Sequence, residues 1–262
     1  MAFEERTWGV LPPGFQKVAD GNGSLMVVRE DVARDLAFET CTQASQRFEA
    51  TDSTLHGRAR LGSLKLSNGD TALVRSYRHG GLLRFLTRDL FLSWPPRPFR
   101  ELAITEEVRR RGIPTVEVYA ACVRRTLGSF YRGWLVTRQL QGAQDLWEAI
   151  QSGQFHTLGA ARVLQAVADG VRGLHREGVY HRDLNLKNIL VRRETDGVKG
   201  YIIDFDRAVL FFGAIPPTLA QRNLNRLLRS VHKLDPAQRY FSAANWEQFV
   251  ACYYDHAEGP RP

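Results

Sequence analysis

Tyr180-His181-Arg182-Asp183-Leu184-Asn185-Leu186-Lys187-Asn188-Ile189-Leu190-Val191, followed by Ile202-Ile203-Asp204-Phe205-Asp206, is the stretch on which the reading of this 262-residue chain turns. It sets a carboxylate, Asp183, five residues before an amide oxygen, Asn188, on a polar loop that runs into an apolar strand. A short turn and a second apolar strand then deliver another carboxylate, Asp204. Transfer of a γ-phosphoryl group needs a base to orient the attacking hydroxyl and hard oxygen ligands to hold Mg²⁺ against the phosphates of ATP. Asp183 suits the first task, and Asn188 with Asp204 suits the second.

The order His-Arg-Asp, then Asn, then strand, turn and Asp-Phe resembles the catalytic loop and metal-binding strand end of protein kinases. The resemblance implies an α+β, protein-kinase-like two-lobed fold. The whole chain would be one such domain, with a β-rich N-lobe over about 1–139, including an N-terminal extension, and a reduced helical C-lobe over about 140–262.

Upstream residues fit that expectation. Around Asp20-Gly21-Asn22-Gly23 a hairpin is expected, then a strand over Ser24 to Arg29 and a helix over Asp31 to Phe38. His56 to Leu66 and Thr71 to Tyr77 read as strands joined by Ser67-Asn68-Gly69-Asp70, where Asn-Gly predicts a type I′ turn. Gly57, Ala59 and Gly62 match a glycine-rich phosphate loop with Ala at its middle position, and Leu64 is expected to cover the nucleotide base. Arg75 stands where such kinases carry a phosphate-binding Lys; a guanidinium grips phosphate through a two-pronged fork. A helix from Pro98 to about Arg111, stopped by Gly112 and Pro114, offers Glu101 as its partner, with Glu106 and Glu107 as rivals. Strands follow over Val116 to Val123 and Trp134 to Gln139, and backbone groups near Thr137 to Leu140 are expected to meet the adenine edge. Apolar residues at helical spacing over 157–176 predict the core helix that leads to His181.

Composition narrows the setting. Three scattered cysteines, Cys41, Cys122 and Cys252, form no paired motif and suit a reducing compartment. The N-terminus lacks the basic-then-apolar order of a secretory signal, and the longest nearly apolar run, Ala208 to Ile215, falls far below the roughly 20 residues of a spanning helix. The chain is therefore expected to be soluble or peripherally attached. A formal charge of +8 points to an anionic partner without choosing among nucleotide, nucleic acid and membrane surface.

After Asp204 the chain departs from the protein kinases. It has Asp206 where they have Gly, Asn185 where Ser/Thr kinases have Lys, no Ala-Pro-Glu, and only 56 residues beyond Asp206. With Val74-Arg75-Ser76-Tyr77-Arg78-His79-Gly80-Gly81-Leu82, Phe99-Arg100-Glu101, Arg111-Gly112-Ile113-Pro114-Thr115, the Asp-Leu-Asn and Asp-Phe-Asp-Arg variants and Asn223 to Ser230, the chain resembles the bacterial lipopolysaccharide-core kinases, most closely their Kdo (3-deoxy-D-manno-octulosonic acid) branch. That resemblance covers roughly Gly57 to Leu234. It implies ATP-dependent phosphorylation of a sugar hydroxyl, position 4 of Kdo, on a Kdo-lipid A precursor. The partners implied are ATP with Mg²⁺, an anionic glycolipid acceptor and a membrane surface bound peripherally, on the cytoplasmic side of the inner membrane; nucleic acid is not expected.

Two segments offer surface for that acceptor. Gly81 to Trp94 mixes large apolar residues with Arg84 and Arg88, and reads either as an interfacial docking element or as a segment packed between lobes. A helix over Leu219 to Leu234 sets Arg222, Arg226, Arg229 and Lys233 along one side, either a solvated face or an acceptor-phosphate or headgroup site. Other readings of the chain remain: a heptose kinase of the same family, a protein or small-molecule kinase, and a nucleotide-binding pseudokinase scaffold.

Overall fold

The computed structural model describes residues 11–20, 23–51, 61–77, 90–93, 95–126 and 130–255. The expected Gly57 and Ala59 of the phosphate loop, and most of the segment from Gly81 to Trp94, lie outside them. The chain divides into two compact units: of the described residues, one takes those from Leu11 to Glu106 and Val116–Gln139, the other Glu107–Thr115 and those from Leu140 onward.

The first unit is built on a six-stranded antiparallel sheet. Its strands are β1 (Phe15–Ala19), β2 (Ser24–Arg29), β3 (Leu61–Lys65), β4 (Thr71–Ser76), β5 (Val118–Arg125) and β6 (Tyr131–Arg138), in the order β1-β2-β5-β6-β4-β3. β2 occupies the expected Ser24–Arg29, forms a hairpin with β1, and pairs along β5 from Ser24↔Arg124 to Val28↔Ala120, so this part of the expected N-terminal extension belongs to the main sheet.

Alternation along the strands supplies two cores, one on each face. Met26, Val28, Ala72, Val74, Cys122, Trp134 and Val136 pack with Phe38 and Cys41 of helix α1 (Phe38–Thr51). Val27, Tyr77, Ala121, Val123, Tyr131 and Leu135 pack with Phe99 and Leu102 of helix α2 (Arg97–Arg110). Cys41 and Cys122 are both fully enclosed, and the Cys41 contact together with burial holds the Cys122 thiol well above its usual range.

Two local expectations are corrected. The helix expected over Asp31–Phe38 is a single 3₁₀ turn, Glu30–Val32, and α1 begins only at Phe38. The β3–β4 turn is not type I′: Asn68 keeps negative φ and Gly69 alone takes φ 85°. Gly69 N–H donates to Leu66 O at 3.0 Å, which makes a three-residue loop of a type I turn followed by a left-handed glycine.

The second unit is centred on helix α5 (Ala160–Arg176), preceded by the short helices α3 (Leu146–Gln151) and α4 (Gln154–Thr157). Val163, Leu164, Val167, Val171 and Leu174 form its buried stripe. Two further helices, α6 (Pro217–Leu234) and α7 (Ala243–Tyr254), complete its helical part. Strands β7 (Gln144–Asp145), β9 (Ile189–Glu194) and β10 (Gly197–Ile202) form one small sheet; β8 (Val179–Tyr180) and β11 (Val209–Leu210) form another. β10 lies directly on α5 at Gly200, where a Cβ would come within 2.9 Å of the Ala166 carbonyl oxygen. Among the described residues no helix is long and apolar enough to cross a membrane.

Candidate active site

In the second unit the catalytic-loop sequence folds around a buried histidine. His181, only 1% exposed, follows β8 and accepts the Asp183 N–H at Nδ1, 3.2 Å. Its Nε2 therefore carries the proton and donates to Ile203 O at 2.9 Å. Burial pushes the His181 pKa down, so the ring is the neutral scaffold this bonding pattern requires. One imidazole thus ties the residue immediately before Asp204 to the backbone of Asp183, and its ring packs on the fully buried Phe205, 5.2 Å between centroids.

The loop then closes on itself through amides. Asn185 Nδ2 and Asn188 Nδ2 both donate to Asp183 O at 2.9 Å, while Asn185 Oδ1 accepts from Lys187 N–H and caps the 3₁₀ turn Leu186–Asn188. With its nitrogen committed to Asp183, Asn188 offers Oδ1 as its ligand atom. Ile203 N–H donates to Asn188 O at 3.0 Å, binding the strand end that carries Asp204 to the same turn. Asp183 itself is exposed.

Asp204 adopts φ 69°, a left-handed conformation that side chains other than glycine rarely take and that concentrates at functional sites. Beyond it, Val209 pairs with Tyr180 and Leu210 with Val179, returning the chain beside the approach to the catalytic loop. Asn188 and Asp204 supply the hard oxygens that Mg²⁺ prefers. Among the described residues no group of three or more His, Cys, Asp or Glu side chains could hold a metal ion. Two protein ligands are enough for Mg²⁺, which is commonly held by one or two side chains together with substrate phosphates.

The first unit contributes a separate constellation. Arg75 on β4 reaches Glu101 of α2 through Nη2, 2.6 Å to each carboxylate oxygen, and Tyr77 donates its hydroxyl to the same carboxylate. Glu101 is 2% exposed. Its rivals are engaged elsewhere: Glu106 accepts from Val118 N–H within the first unit, and Glu107 pairs with Arg110 and Arg111 within the second.

Leu64 is placed otherwise than expected. It pairs across from Ala72 and packs, half-buried, into the core that includes Val74 and Trp134. Paired residues share a face and successive residues alternate, so Leu64 lies on the side of the sheet opposite Arg75 and is a packing residue. Gly62, opposite Val74, is buried in the same strand. The adenine-edge expectation also narrows, because Arg138 N–H donates to Glu117 O and Gln139 N–H to Thr71 O, 2.9 and 2.8 Å.

Helix α6 holds Asn223 and Ser230, which the sequence reading quoted within the Asn223–Ser230 stretch without giving either a role. Ser230 Oγ accepts from Leu186 N–H at 3.2 Å, fixing the helix to the catalytic loop. Asn223, fully buried, donates from Nδ2 to His175 Nε2 at 3.0 Å, and His175 Nδ1 meets the Tyr253 hydroxyl at 2.8 Å. Burial pushes the His175 pKa down to about 4, so this ring too is neutral. The resemblance of the Asn223–Ser230 stretch, and short polar residues inside an amphipathic helix, were the available cues.

Residues 48–253 match the model of the lipopolysaccharide kinase (Kdo/WaaP) family. The chain is 33% identical over 190 residues to a 3-deoxy-D-manno-octulosonic acid kinase of Pasteurella multocida (strain Pm70), covering 71% of this chain and 76% of that protein. To the protein of the same name in Vibrio vulnificus (strain CMCP6) it is 36% identical over 167 residues, 62% of this chain and 66% of the other. A solved structure described as WaaP in complex with acyl carrier protein overlaps at TM-score 0.48 and 19% identity, covering 83% of this chain and 82% of that one.

Proposed function

The chain belongs to the lipopolysaccharide kinase (Kdo/WaaP) family, and from that premise we propose that it transfers the γ-phosphoryl group of ATP to the 4-hydroxyl of a Kdo sugar on a Kdo-lipid A precursor. The observation that carries this reading is the joined set Asp183, Asn188 and Asp204, held by His181 and the Asn188–Asp183 bond.

In this mechanism Asp183 accepts a hydrogen bond from the sugar hydroxyl, orients its oxygen for in-line attack and takes its proton late. The loose transition state of phosphoryl transfer needs positioning more than base strength. Asn188 Oδ1 and the Asp204 carboxylate would hold Mg²⁺, which when bound neutralises phosphate charge. Arg75, fixed by Glu101, supplies a guanidinium for the ATP phosphates.

A peripheral position at the cytoplasmic face of the inner membrane is part of the same proposal. It is supported by the net charge of +8 and by the exposed Arg222, Arg229 and Lys233 of α6, which suit an anionic glycolipid surface.

The test is incubation of the purified protein with labelled ATP and a panel of Kdo-lipid A precursor, heptosylated core and protein acceptors. Label on the Kdo 4-position is the expected result. Label only on heptose or on protein would overturn the acceptor assignment, and ATP binding without transfer to any acceptor would favour a scaffold.

A further inference from the structure

Among the described residues three buried side-chain atoms have no hydrogen-bond partner: Thr115 Oγ1, Asn223 Oδ1 and Arg226 Nε. Only the last belongs to a charged group, and it lies on the helix that is bonded to the catalytic loop. An enclosed guanidinium nitrogen is costly to leave unmatched, and the Arg226 side chain as a whole is only half-buried.

The position of Arg226 on α6 bears on what this group meets. Along this helix Leu219 and Ala220 pack on the Tyr180–Val209 cluster, Asn223 bonds His175, and Ser230 bonds Leu186. Arg226 therefore falls, in sequence along the helix, between the anchor before His181 and the anchor just after Asp183. At about 100° per residue, Leu219, Asn223 and Ser230 cluster within about 20° of one another's mean direction, and Arg226 lies about 40° from Ser230. Lys233, Arg222 and Arg229 continue round the helix at about 60°, 80° and 100° on that same side. Of the basic stripe, Arg226 thus stands nearest in helical angle to Ser230, which bonds Leu186, and it is half-buried while the other three are exposed.

Resting on the sugar-kinase reading above, we propose that Arg226 is the acceptor-recognition residue, its guanidinium binding the carboxylate of the octulosonic acid whose hydroxyl meets Asp183. A planar fork of N–H donors matches a carboxylate. A carboxylate on the reacting sugar is also the anion that must lie near the loop when its hydroxyl is in place; lipid phosphates, further along the acceptor, fall to the exposed arginines.

The experiment measures steady-state kinetics of wild type, Arg226→Ala and Arg226→Lys. The acceptors are a Kdo-lipid A precursor, the same acceptor with its sugar carboxylate reduced to the alcohol, and one with its lipid phosphates removed. In the wild type, reduction of the carboxylate is expected to raise the acceptor KM at least tenfold. Arg226→Ala should raise the KM for the native acceptor by a similar factor, lose the discrimination between carboxylate and alcohol, and keep the KM for ATP within twofold. Arg226→Lys should retain part of the discrimination. If the variants still discriminate as the wild type does, or if the discrimination follows the lipid phosphates, the proposal fails. Should Arg226→Ala not fold, as judged by thermal melting, the Lys variant decides on the same ratio. A wild type that phosphorylates none of the three acceptors refutes the sugar-kinase reading itself, and this inference with it.

Discussion

Asn188 donates its side-chain N–H to the backbone carbonyl of Asp183 at 2.9 Å, so the expected metal ligand and the expected base belong to one hydrogen-bonded turn. The amide nitrogen that anchors the turn leaves the amide oxygen for a cation, and a shift of either residue moves the other. Positioning of this kind is what phosphoryl transfer demands.

Asp183→Asn should leave the turn intact, because the bonds from Asn185 and Asn188 end on the main-chain oxygen. Loss of the orienting carboxylate is expected to lower kcat by about 10²–10⁴-fold, with ATP affinity unchanged. Single-turnover transfer of labelled phosphate checks the first value and nucleotide titration the second; an unaltered kcat would remove Asp183 from the chemistry.

Glu101→Ala takes away the shared acceptor of Arg75 and Tyr77. Removing one partner of a buried ion pair is expected to cost about 3 kcal/mol in stability and to raise the KM for ATP about tenfold through the loosened Arg75. Urea unfolding and ATP-dependent initial rates measure the two effects. Normal ATP kinetics in a destabilised protein would assign the pair to folding alone.

Gly200→Ala places a methyl group 2.9 Å from the Ala166 carbonyl oxygen and 3.3 Å from its carbon, both backbone atoms that cannot swing aside. A loss of about 1–3 kcal/mol is expected. As β10 lifts from α5, Asp204 should shift and Mg²⁺-dependent ATP binding should weaken. Equilibrium unfolding together with nucleotide titration at varied Mg²⁺ tests both consequences.

His175 gives the fold a pH dependence with a definite sign. Burial lowers its pKa from 6.5 to about 4, so between those values the unfolded chain takes up a proton that the folded one does not. The contribution is present in full above about pH 6.5 and is lost as pH falls towards 4, amounting to about 3 kcal/mol at most. His181, depressed by its own burial, acts in the same direction. Stability measured from pH 7.5 to 4.5 should fall, and His175→Gln should flatten the profile; an unchanged slope would contradict the assignment.

The turn that joins Asp183 to Asn188 was legible in the sequence because the chemistry expected of it asks for those residue types at that separation. The end of α2 was legible for a similar reason. Gly112 N–H bonds Arg109 O and Ile113 N–H bonds Val108 O, a local stop that the Gly-x-Pro spelling announces. Leu64 was misread because a strand residue's role depends on pairing register, and a change of one residue exchanges the faces. Residues 31–38 carry helix-compatible apolar spacing, yet Val32 and Leu36 reach the core from a 3₁₀ turn and the segment before α1, because tertiary burial outweighs local preference there. Arg226 could not be told from Arg222 or Arg229, since its partial burial follows from the contacts of Asn223 and Ser230.

The enclosed cysteines of the strand-rich unit have a practical use. Cys41 and Cys122 sit at zero exposure inside one core, whereas Cys252, in the helical unit, is half-buried. A bulky thiol reagent can modify the first two only when that core opens, and the raised Cys122 pKa slows any premature reaction. The native chain therefore contains its own chemical clock. The rate at which Cys41 and Cys122 take up label reports breathing of the strand-rich unit, and a nucleotide that rigidifies the unit should stop that clock without any engineered probe.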